Sequence, residues 1–238
     1  MTLPSTADIF DAIEHTWPAA TQQTVCNWTI RDGQGGGKRV SAATSDIGEP
    51  CDIAAAETAM GHLNQDRLFM IREDEYALDN QLAQAGYRII DPVKLYACPI
   101  ETLTQEPVPP MTAFAIWPPL AIAKELWAEG GIDVARIAVM ERAGLPKTSI
   151  LARIKDRAAG SGFVSIHRDI AMIHAIEVTS TLRRNGVAIN IMRAAAHWAQ
   201  DKGARYFSLA VTDANIAANA LYYKLGMTAV GHYHYRIK

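Results

Sequence analysis

The sequence has few of the features that mark secreted, membrane or nucleic-acid-binding proteins. Its 238 residues include only three cysteines, Cys26, Cys51 and Cys98, which favours free thiols and a cytoplasmic protein over a disulfide framework. It has no run of 18 uncharged apolar residues and no signal-peptide core, so we expect no membrane-spanning helix. The net charge is −2, and no basic excess favours nucleic acid or an anionic membrane as a partner.

Metal-ligand patterns are also lacking. The seven histidines do not combine with cysteines or carboxylates at the spacings typical of metal sites. His232 and His234 form a weak pair on the last strand that the sequence predicts, at residues 228–237. The sequence therefore predicts no metal, and it predicts the last strand as an edge strand because polar and aromatic residues alternate along it.

A glycine-rich run at residues 35–37, followed by Lys38, partly matches a phosphate-binding loop. That pattern requires glycine where Asp32 stands and serine or threonine where Arg39 stands, so the match fails twice. We predict instead the turn of a hairpin. Its strands are expected at residues 24–31 and 38–44. A phosphate contact by Lys38 or Arg39 stays open.

The most informative stretch is residues 172–227, whose pattern predicts a strand, a turn, a helix, a second strand and a second helix. After Gly186, apolar residues recur at helical spacing from Val187 onward, which predicts an amphipathic helix. Arg183 and Arg184 lie in the turn before it. Unpaired N–H groups, the positive end of the helix dipole and nearby arginines form an anion site that would fit a pyrophosphate.

Three features in register resemble the GNAT-type acetyl-CoA-dependent N-acetyltransferases. They are the apolar strand, the Arg-x-x-Gly-x-Ala turn at residues 183–188 and the Asn-x-x-Ala-x-x-Leu-Tyr run at residues 215–222. The resemblance implies an α/β (α+β) fold and transfer of the acetyl group of acetyl-CoA to a primary amine by direct attack on the thioester. It also implies a small-molecule or peptide amine as acceptor and allows a homodimer. The alternative is a non-catalytic acyl-CoA-binding or sensor protein on the same fold.

The resemblance implies roles for individual residues as well. The pyrophosphate would bind the turn, formed by Arg183, Arg184, Asn185, Gly186, Val187 and Ala188. The pantetheine arm would contact the strand end at Ile176 and Val178 and the side chain of Asn215. Tyr222 matches the tyrosine that often protonates the leaving thiolate, although an aromatic residue packed in the core is the alternative.

Two residues of the strand at 172–178 are candidates for the general base. If side chains alternate strictly, His174 shares a face with Val178, and Glu177 lies on the other face. The strand resembles that of the serotonin-type N-acetyltransferases, whose two histidines correspond to Met172 and His174. We therefore predict His174 as the base and Glu177 as the second candidate, and a satisfied core histidine is the alternative.

The order of predicted elements in the N-terminal half repeats in the C-terminal half. Leu-Ala-Gln-Ala-Gly-Tyr at residues 82–87 corresponds to residues 222–227, with Leu82 where Tyr222 stands and Glu75 where Asn215 stands. No Arg-x-x-Gly-x-Ala turn precedes the helix predicted from Cys51; only Gly48 lies nearby. We predict a shortened, degenerate copy of the same fold, with an unrelated small α+β domain as the alternative. The predicted divisions are residues 1–98, a proline-rich linker at 99–110 and the acetyltransferase domain at 111–238.

Overall fold

An eight-stranded sheet is the centre of the fold in the computed structural model, which describes residues 2–45 and 52–238. Its strand order is β4-β11-β5-β10-β9-β8-β7-β6, and a smaller sheet has the order β1-β2-β3. The strands are β1 (Thr21–Val25), β2 (Trp28–Asp32), β3 (Thr44–Ser45), β4 (Leu68–Arg72), β5 (Arg88–Pro99), β6 (Ala113–Ile116), β7 (Lys147–Ile154), β8 (Arg157–His167), β9 (Ile170–Val178), β10 (Tyr206–Thr212) and β11 (Thr228–Ile237). The mixed α/β class predicted from the sequence is confirmed.

Eight helices of the described residues cover the two faces of this sheet and link its strands. They are α1 (Thr6–Thr16), α2 (Ile53–His62), α3 (Tyr76–Gln84), α4 (Glu101–Thr104), α5 (Ala121–Glu129), α6 (Val134–Arg142), α7 (Val187–Asp201) and α8 (Ile216–Lys224). None of them has the length and apolarity that crossing a bilayer requires. The predicted start of α2 at Cys51, the thiol of that residue and Gly48 all lie outside the described residues.

The two halves of the chain repeat one arrangement of elements. The series β1-β2-β3-α2-β4-α3-β5 corresponds to β7-β8-β9-α7-β10-α8-β11, and α3 and α8 have nine residues each. A parallel bridge from Ala43 to Phe69 joins the β3 segment to β4, as β9 pairs in parallel with β10. The predicted shortened copy is therefore confirmed.

Each half contributes its last strand to the other half. β11 lies between β4 and β5, and β5 lies between β11 and β10. The prediction that β11 is an edge strand is therefore wrong. Polar and aromatic residues alternate along β11 because helices cover both of its faces. On one face Tyr233 packs on Phe10 of α1, with ring centroids 5.9 Å apart. On the other face His234 and Arg236 form hydrogen bonds with Asp79 of α3.

The N-terminal hairpin differs from the prediction. The strand expected at residues 24–31 is interrupted at Cys26, whose φ is 53°, so that β1 and β2 form the hairpin themselves. The glycine-rich run leads instead into a 3-10 turn at Lys38–Val40. At Gly36 an added Cβ would lie 2.5 Å from Val139 Cγ2 of α6, so glycine allows the close contact between this loop and α6.

Two further connections also differ from the sequence-based expectation. Gly160 and Gly162, a glycine pair typical of a hairpin turn, are part of β8, and the β7–β8 turn lies at residues 155–156. Gly162 faces α7, where a Cβ would lie 2.9 Å from Ile191 Cγ2. In the proline-rich segment, Ile100 and Leu103 are buried and α4 contacts α7. The division of the chain at residues 98, 99–110 and 111 stays a prediction.

Candidate active site

The two central parallel strands separate along the predicted site. β9 and β10 pair from Ile170 and Tyr206 as far as Ile173 and Leu209, and there the pairing ends. Both strands continue beyond that point, β9 to Val178 and β10 to Thr212. The backbone groups that face this gap are free of pairing between β9 and β10, so an extended ligand can bind there as an additional strand would.

A β-bulge lies in β9 at the start of the gap. Ser161 pairs with Glu177 and Phe163 pairs with His174, so one residue of β8 opposes two residues of β9. Ala175, within the bulge, has a φ of 52°, and its carbonyl oxygen accepts a hydrogen bond of 2.8 Å from Trp127 Nε1. A bulge of this kind inverts the alternation of side chains along the strand.

The bulge corrects the assignment of strand faces made from the sequence. Ile176 and Val178 pack in the cluster that contains α7, whereas His174 contacts Trp17 and Phe163 on the opposite face. Glu177 points to the same side of the sheet as His174, towards Gly130 at the end of α5. A Cβ added to Gly130 would lie 2.5 Å from Cδ of Glu177. The prediction that His174 shares a face with Val178, and that Glu177 points away, is therefore wrong.

His174 is buried, with 5% of its surface exposed, and both of its ring nitrogens have partners. Arg39 Nη1 lies 3.2 Å from Nδ1, and Thr16 Oγ1 lies 2.9 Å from Nε2. An arginine can only donate, so Nδ1 accepts, and Nε2–H donates to Thr16, which in turn donates to the Ala12 carbonyl. Burial, and secondly the charge of Arg39, hold the pKa of His174 well below its ordinary value.

Glu177 lies at the edge of the gap with 21% of its side chain exposed. Its Oε1 accepts a hydrogen bond of 3.2 Å from Arg183 Nη2, and Arg183 Nε donates to the Val178 carbonyl at 3.1 Å. Arg183 thereby connects the end of β9 to the predicted pyrophosphate turn. Glu177 keeps access to solvent, whereas the nitrogens of His174 are occupied.

The predicted anion turn is exposed and has an uncapped helix behind it. Arg184 and Gly186 have φ values of 65° and 78°, and Gly186 occupies the cap position of α7 with no side-chain cap. Asn185 Nδ2 donates to the carbonyls of Leu182 and Arg183, which stabilises the turn. The first N–H groups of α7 therefore remain available to a ligand, beside two arginines.

Asn215 and Tyr222 lie at the start and near the end of α8. Asn215 Oδ1 accepts a hydrogen bond of 3.1 Å from Ala218 N and caps the helix. Tyr222 is 7% exposed, and its ring centroid lies 5.8 Å from that of Tyr96 on β5. Burial raises the pKa of Tyr222 to about 12, so its hydroxyl keeps its proton at physiological pH.

A cavity of about 300 Å³ opens beside the gap on the His174 face. Residues of both halves line it, among them His174, Ala175, Ala210, Thr212, Arg39, Arg136, Tyr233 and Tyr235. Sequence reasoning missed Arg136 and Tyr233 and considered Arg39 only as a phosphate contact. No local pattern marks these three residues, because distant elements bring them together.

Known proteins with similar sequences belong to one family. The sequence model described as the acetyltransferase (GNAT) family matches residues 115–227, which run from β6 through α8 and include the gap, the turn and Tyr222. The chain is 24% identical over 235 residues to an uncharacterized N-acetyltransferase, YobR, of Bacillus subtilis (strain 168), with 94% of each chain covered. Residues 115–227 thus match the GNAT acetyltransferase family, and the chain as a whole is similar to N-acetyltransferases of this type.

Solved structures of N-acetyltransferases share this fold over nearly the whole chain. A GCN5-related N-acetyltransferase from Kribbella flavida is 16% identical with a TM-score of 0.70, covering 98% of this chain and 95% of that one. A tandem GNAT protein from the clavulanic acid biosynthesis pathway is 13% identical with a TM-score of 0.58, covering 83% and 74%. The second likeness agrees with the repeat of elements seen here.

One cluster of potential metal ligands lies beside α1 among the described residues, although the sequence predicted none. Asp11, His15 and His167 place their ligand atoms within 4.8 Å of one another. Their groups already bond to protein atoms: His167 Nε2 and Arg168 Nη1 both lie about 3 Å from Asp11 Oδ2, and the two imidazoles are stacked. The expectation of no metal stays a prediction.

Proposed function

We propose that this protein transfers the acetyl group of acetyl-CoA to a primary amine of a small molecule or peptide by direct attack on the thioester. The observation that carries the proposal is the end of β9–β10 pairing at Ile173 and Leu209, beside the uncapped start of α7. A gap between strands fits the amide-rich pantetheine arm, and exposed helix amides fit the pyrophosphate.

The proposed position of the cofactor follows from these two features. The pyrophosphate would lie on the N–H groups at residues 186–188, with Arg183 and Arg184 beside it. The pantetheine would run along β9 past Val178 and Ile176, which places the thioester at the bulge. The acetyl group would then face the cavity from which the amine approaches. Asn215 and Tyr222 would contact the pantetheine from the β10 side.

The proposed chemistry needs a base, an electrophile and an acid. An ammonium group loses a proton, the amine nitrogen attacks the thioester carbonyl carbon, and the C–S bond of the tetrahedral intermediate breaks. The products are an N-acetyl amide, CoA thiol and one proton. We propose Glu177, directly or through a water, as the acceptor of the ammonium proton, because both nitrogens of His174 are occupied.

The proposed acid is Tyr222. Its raised pKa keeps the hydroxyl protonated, so it can donate to the leaving thiolate as the C–S bond breaks. A thiolate accepts this proton readily only from a group that lies close to the sulfur. This role therefore rests on the proposed path of the pantetheine between β9 and α8.

Two glycine variants on α7 test the cofactor site. Gly186 and Gly203 flank the same helix, have φ values of 78° and 91°, and have no heavy atom within 4 Å of an added Cβ. Glutamate therefore introduces similar backbone strain at both positions, but only Gly186→Glu places a carboxylate in the anion turn. We expect acetyl-CoA to raise the Tm of the wild type and of Gly203→Glu, and to leave Gly186→Glu unchanged.

The same proteins are then assayed for release of CoA thiol with a panel of primary amines. Amine-dependent release by the wild type and by Gly203→Glu, and its loss in Gly186→Glu, would support acetyl transfer. A full thermal shift in a folded Gly186→Glu protein would remove the turn from the site. Binding of acetyl-CoA without transfer to any amine would contradict the proposed reaction.

A further inference from the structure

The wall of the cavity beside the gap contains an arginine without a carboxylate partner. Arg39 comes from the 3-10 turn of the N-terminal half, and no carboxylate among residues 2–45 and 52–238 forms an ion pair with it. Its Nη1 donates to His174, whereas its Nε is buried with no hydrogen-bond partner in the described chain. A buried cationic donor without a partner is costly, so a ligand that supplies an anion there would be favoured.

The hydrogen bond to His174 determines which edge of the guanidinium is free. With Nη1 held by the imidazole, the fork at the other edge of the guanidinium consists of Nη2 and of Nε–H, which has no acceptor among the described residues. Such a fork matches the two oxygens of a carboxylate, because both groups are planar. His174 lies next to the bulge at Ala175, so this fork lies beside the point where β9 and β10 separate.

A second unpaired donor lines the same cavity. Tyr233 is 1% exposed, and its hydroxyl is buried with no hydrogen-bond partner among the described residues. The phenol groups of Tyr233 and Tyr235 lie close enough to Arg39 to interact with its charge. Burial raises the pKa of Tyr235 well above its ordinary value, so that phenol stays neutral and adds no negative charge to the site.

The remaining charged groups of the cavity also favour an anion. Arg136 donates to the Gly131 carbonyl at 3.4 Å and forms no ion pair with any described carboxylate. Lys38 is paired with Asp91, which is the one acidic side chain among the described residues that line the cavity. Three cations thus face one carboxylate, in a protein whose net charge is −2.

We propose that the acceptor is a small amino carboxylate, whose carboxylate binds the Nε edge of Arg39 and the Tyr233 hydroxyl while its amine faces the thioester. The proposal rests on the proposed acetyl transfer and names its substrate class. A volume of about 300 Å³ lies at the lower end of the range for small-molecule sites and suits a compact acceptor. The N-terminal copy, through Arg39, then supplies acceptor recognition.

Matched pairs of acceptors test this assignment. Linear α-, β- and γ-amino carboxylates are each compared with their carboxamides, which keep the carbon skeleton and remove the charge. We expect at least one amino carboxylate to exceed its amide at least 10-fold in kcat/KM and to raise the Tm of the CoA-bound protein, which its amide does not do. An α-amino amide has a less basic amine than its acid, so more of it is deprotonated at neutral pH, and this larger fraction of free amine opposes the expected preference.

Two variants connect the preference to the site. Arg39→Gln should remove the preference by raising KM for the amino carboxylate at least 10-fold, with the thermal shift by acetyl-CoA unchanged. Tyr233→Phe should raise the same KM several-fold while the ligand-free Tm stays equal or rises, because it removes an unpaired buried hydroxyl. Arg205→Gln, at an exposed arginine paired with Asp169, is the matched control and should leave all values unchanged.

The outcomes separate this proposal from the proposed function. If amino carboxylates and their carboxamides are used equally well, with rapid CoA release, the assignment of a carboxylate to the acceptor is wrong and the proposed acetyl transfer is unaffected. Preference for an aminoalkyl phosphonate over the carboxylate would overturn it in favour of a phosphorylated amine. A carboxylate-specific Tm shift that Arg39→Gln removes, without CoA release from any amine, would support the anion site and contradict acetyl transfer.

Discussion

At the scale of single residues, the surroundings of His174 favour the neutral form of its imidazole. Burial and the adjacent Arg39 lower its pKa in the folded state well below the unfolded value of about 6.5. Above that pH both states are neutral and the residue contributes nothing to pH dependence. Below it the unfolded chain gains a proton that the folded protein cannot accept, so stability is lost as the pH falls.

This linkage gives a measurable pH dependence. Between pH 6.5 and 5.5 we expect the wild type to lose about 1 kcal/mol more free energy of unfolding than His174→Gln does, because glutamine cannot take the proton. Urea unfolding at several pH values measures the difference. His62→Gln, at an exposed position of α2, is the control and should follow the wild type. Parallel curves for wild type and His174→Gln would show that the imidazole titrates normally.

At the scale of elements, local sequence patterns predicted most helices and strands. The periodicity after Gly186 and the run at residues 215–222 each depend on residues close together in the chain, so α7 and α8 were located correctly. The bulge at Ala175 was not predicted, because it depends on how β9 pairs with β8 and on the bond from Trp127. Because the bulge adds one residue to β9, the side chains after it lie on the opposite faces from those that strict alternation predicts. Glu177 therefore lies on the same face as His174.

The bulge therefore leads to a prediction about Glu177. Because Glu177 lies on the same side of the sheet as His174, from which we propose that the amine approaches, Glu177→Gln should lower kcat about 100-fold at neutral pH. A loss of this size is within the usual range for general-base assistance. The difference in kcat between Glu177→Gln and the wild type should become smaller as the pH approaches the pKa of the amine, because more of the acceptor is then already deprotonated. Arg183→Gln also removes the ion pair between Arg183 and Glu177, but it should mainly raise KM for acetyl-CoA. A pH-independent loss of kcat would assign Glu177 a structural role instead.

At the scale of the whole molecule, the exchange of β5 and β11 joins two related halves into one sheet. Sequence reasoning detected the repeat from residues 82–87 and 222–227, but it could not detect the exchange. A strand carries no local sign of whether its neighbours come from its own half or from the other. The same limitation concealed the cavity, whose wall combines Arg39 of the first half with Tyr233 of the second half.

The repeat raises the question of whether the N-terminal half also binds acetyl-CoA. The helix equivalent to α7 is α2, and its cap position carries Asp52, whose Oδ1 accepts hydrogen bonds from Ala54 N at 2.9 Å and Ala55 N at 3.3 Å. A carboxylate of the chain thus occupies amides that a pyrophosphate would need, and it would also repel that anion. Leu82, at the position equivalent to Tyr222, has no hydroxyl to donate.

We therefore expect one cofactor site per chain. Calorimetric titration of the full-length protein with acetyl-CoA, or with CoA to avoid turnover, should give a stoichiometry of one. Gly186→Glu should abolish the binding heat entirely, because the remaining helix start is occupied by Asp52. A stoichiometry of two, or residual saturable binding in Gly186→Glu, would mean that α2 releases its aspartate cap to a ligand and that the N-terminal copy has kept a cofactor site.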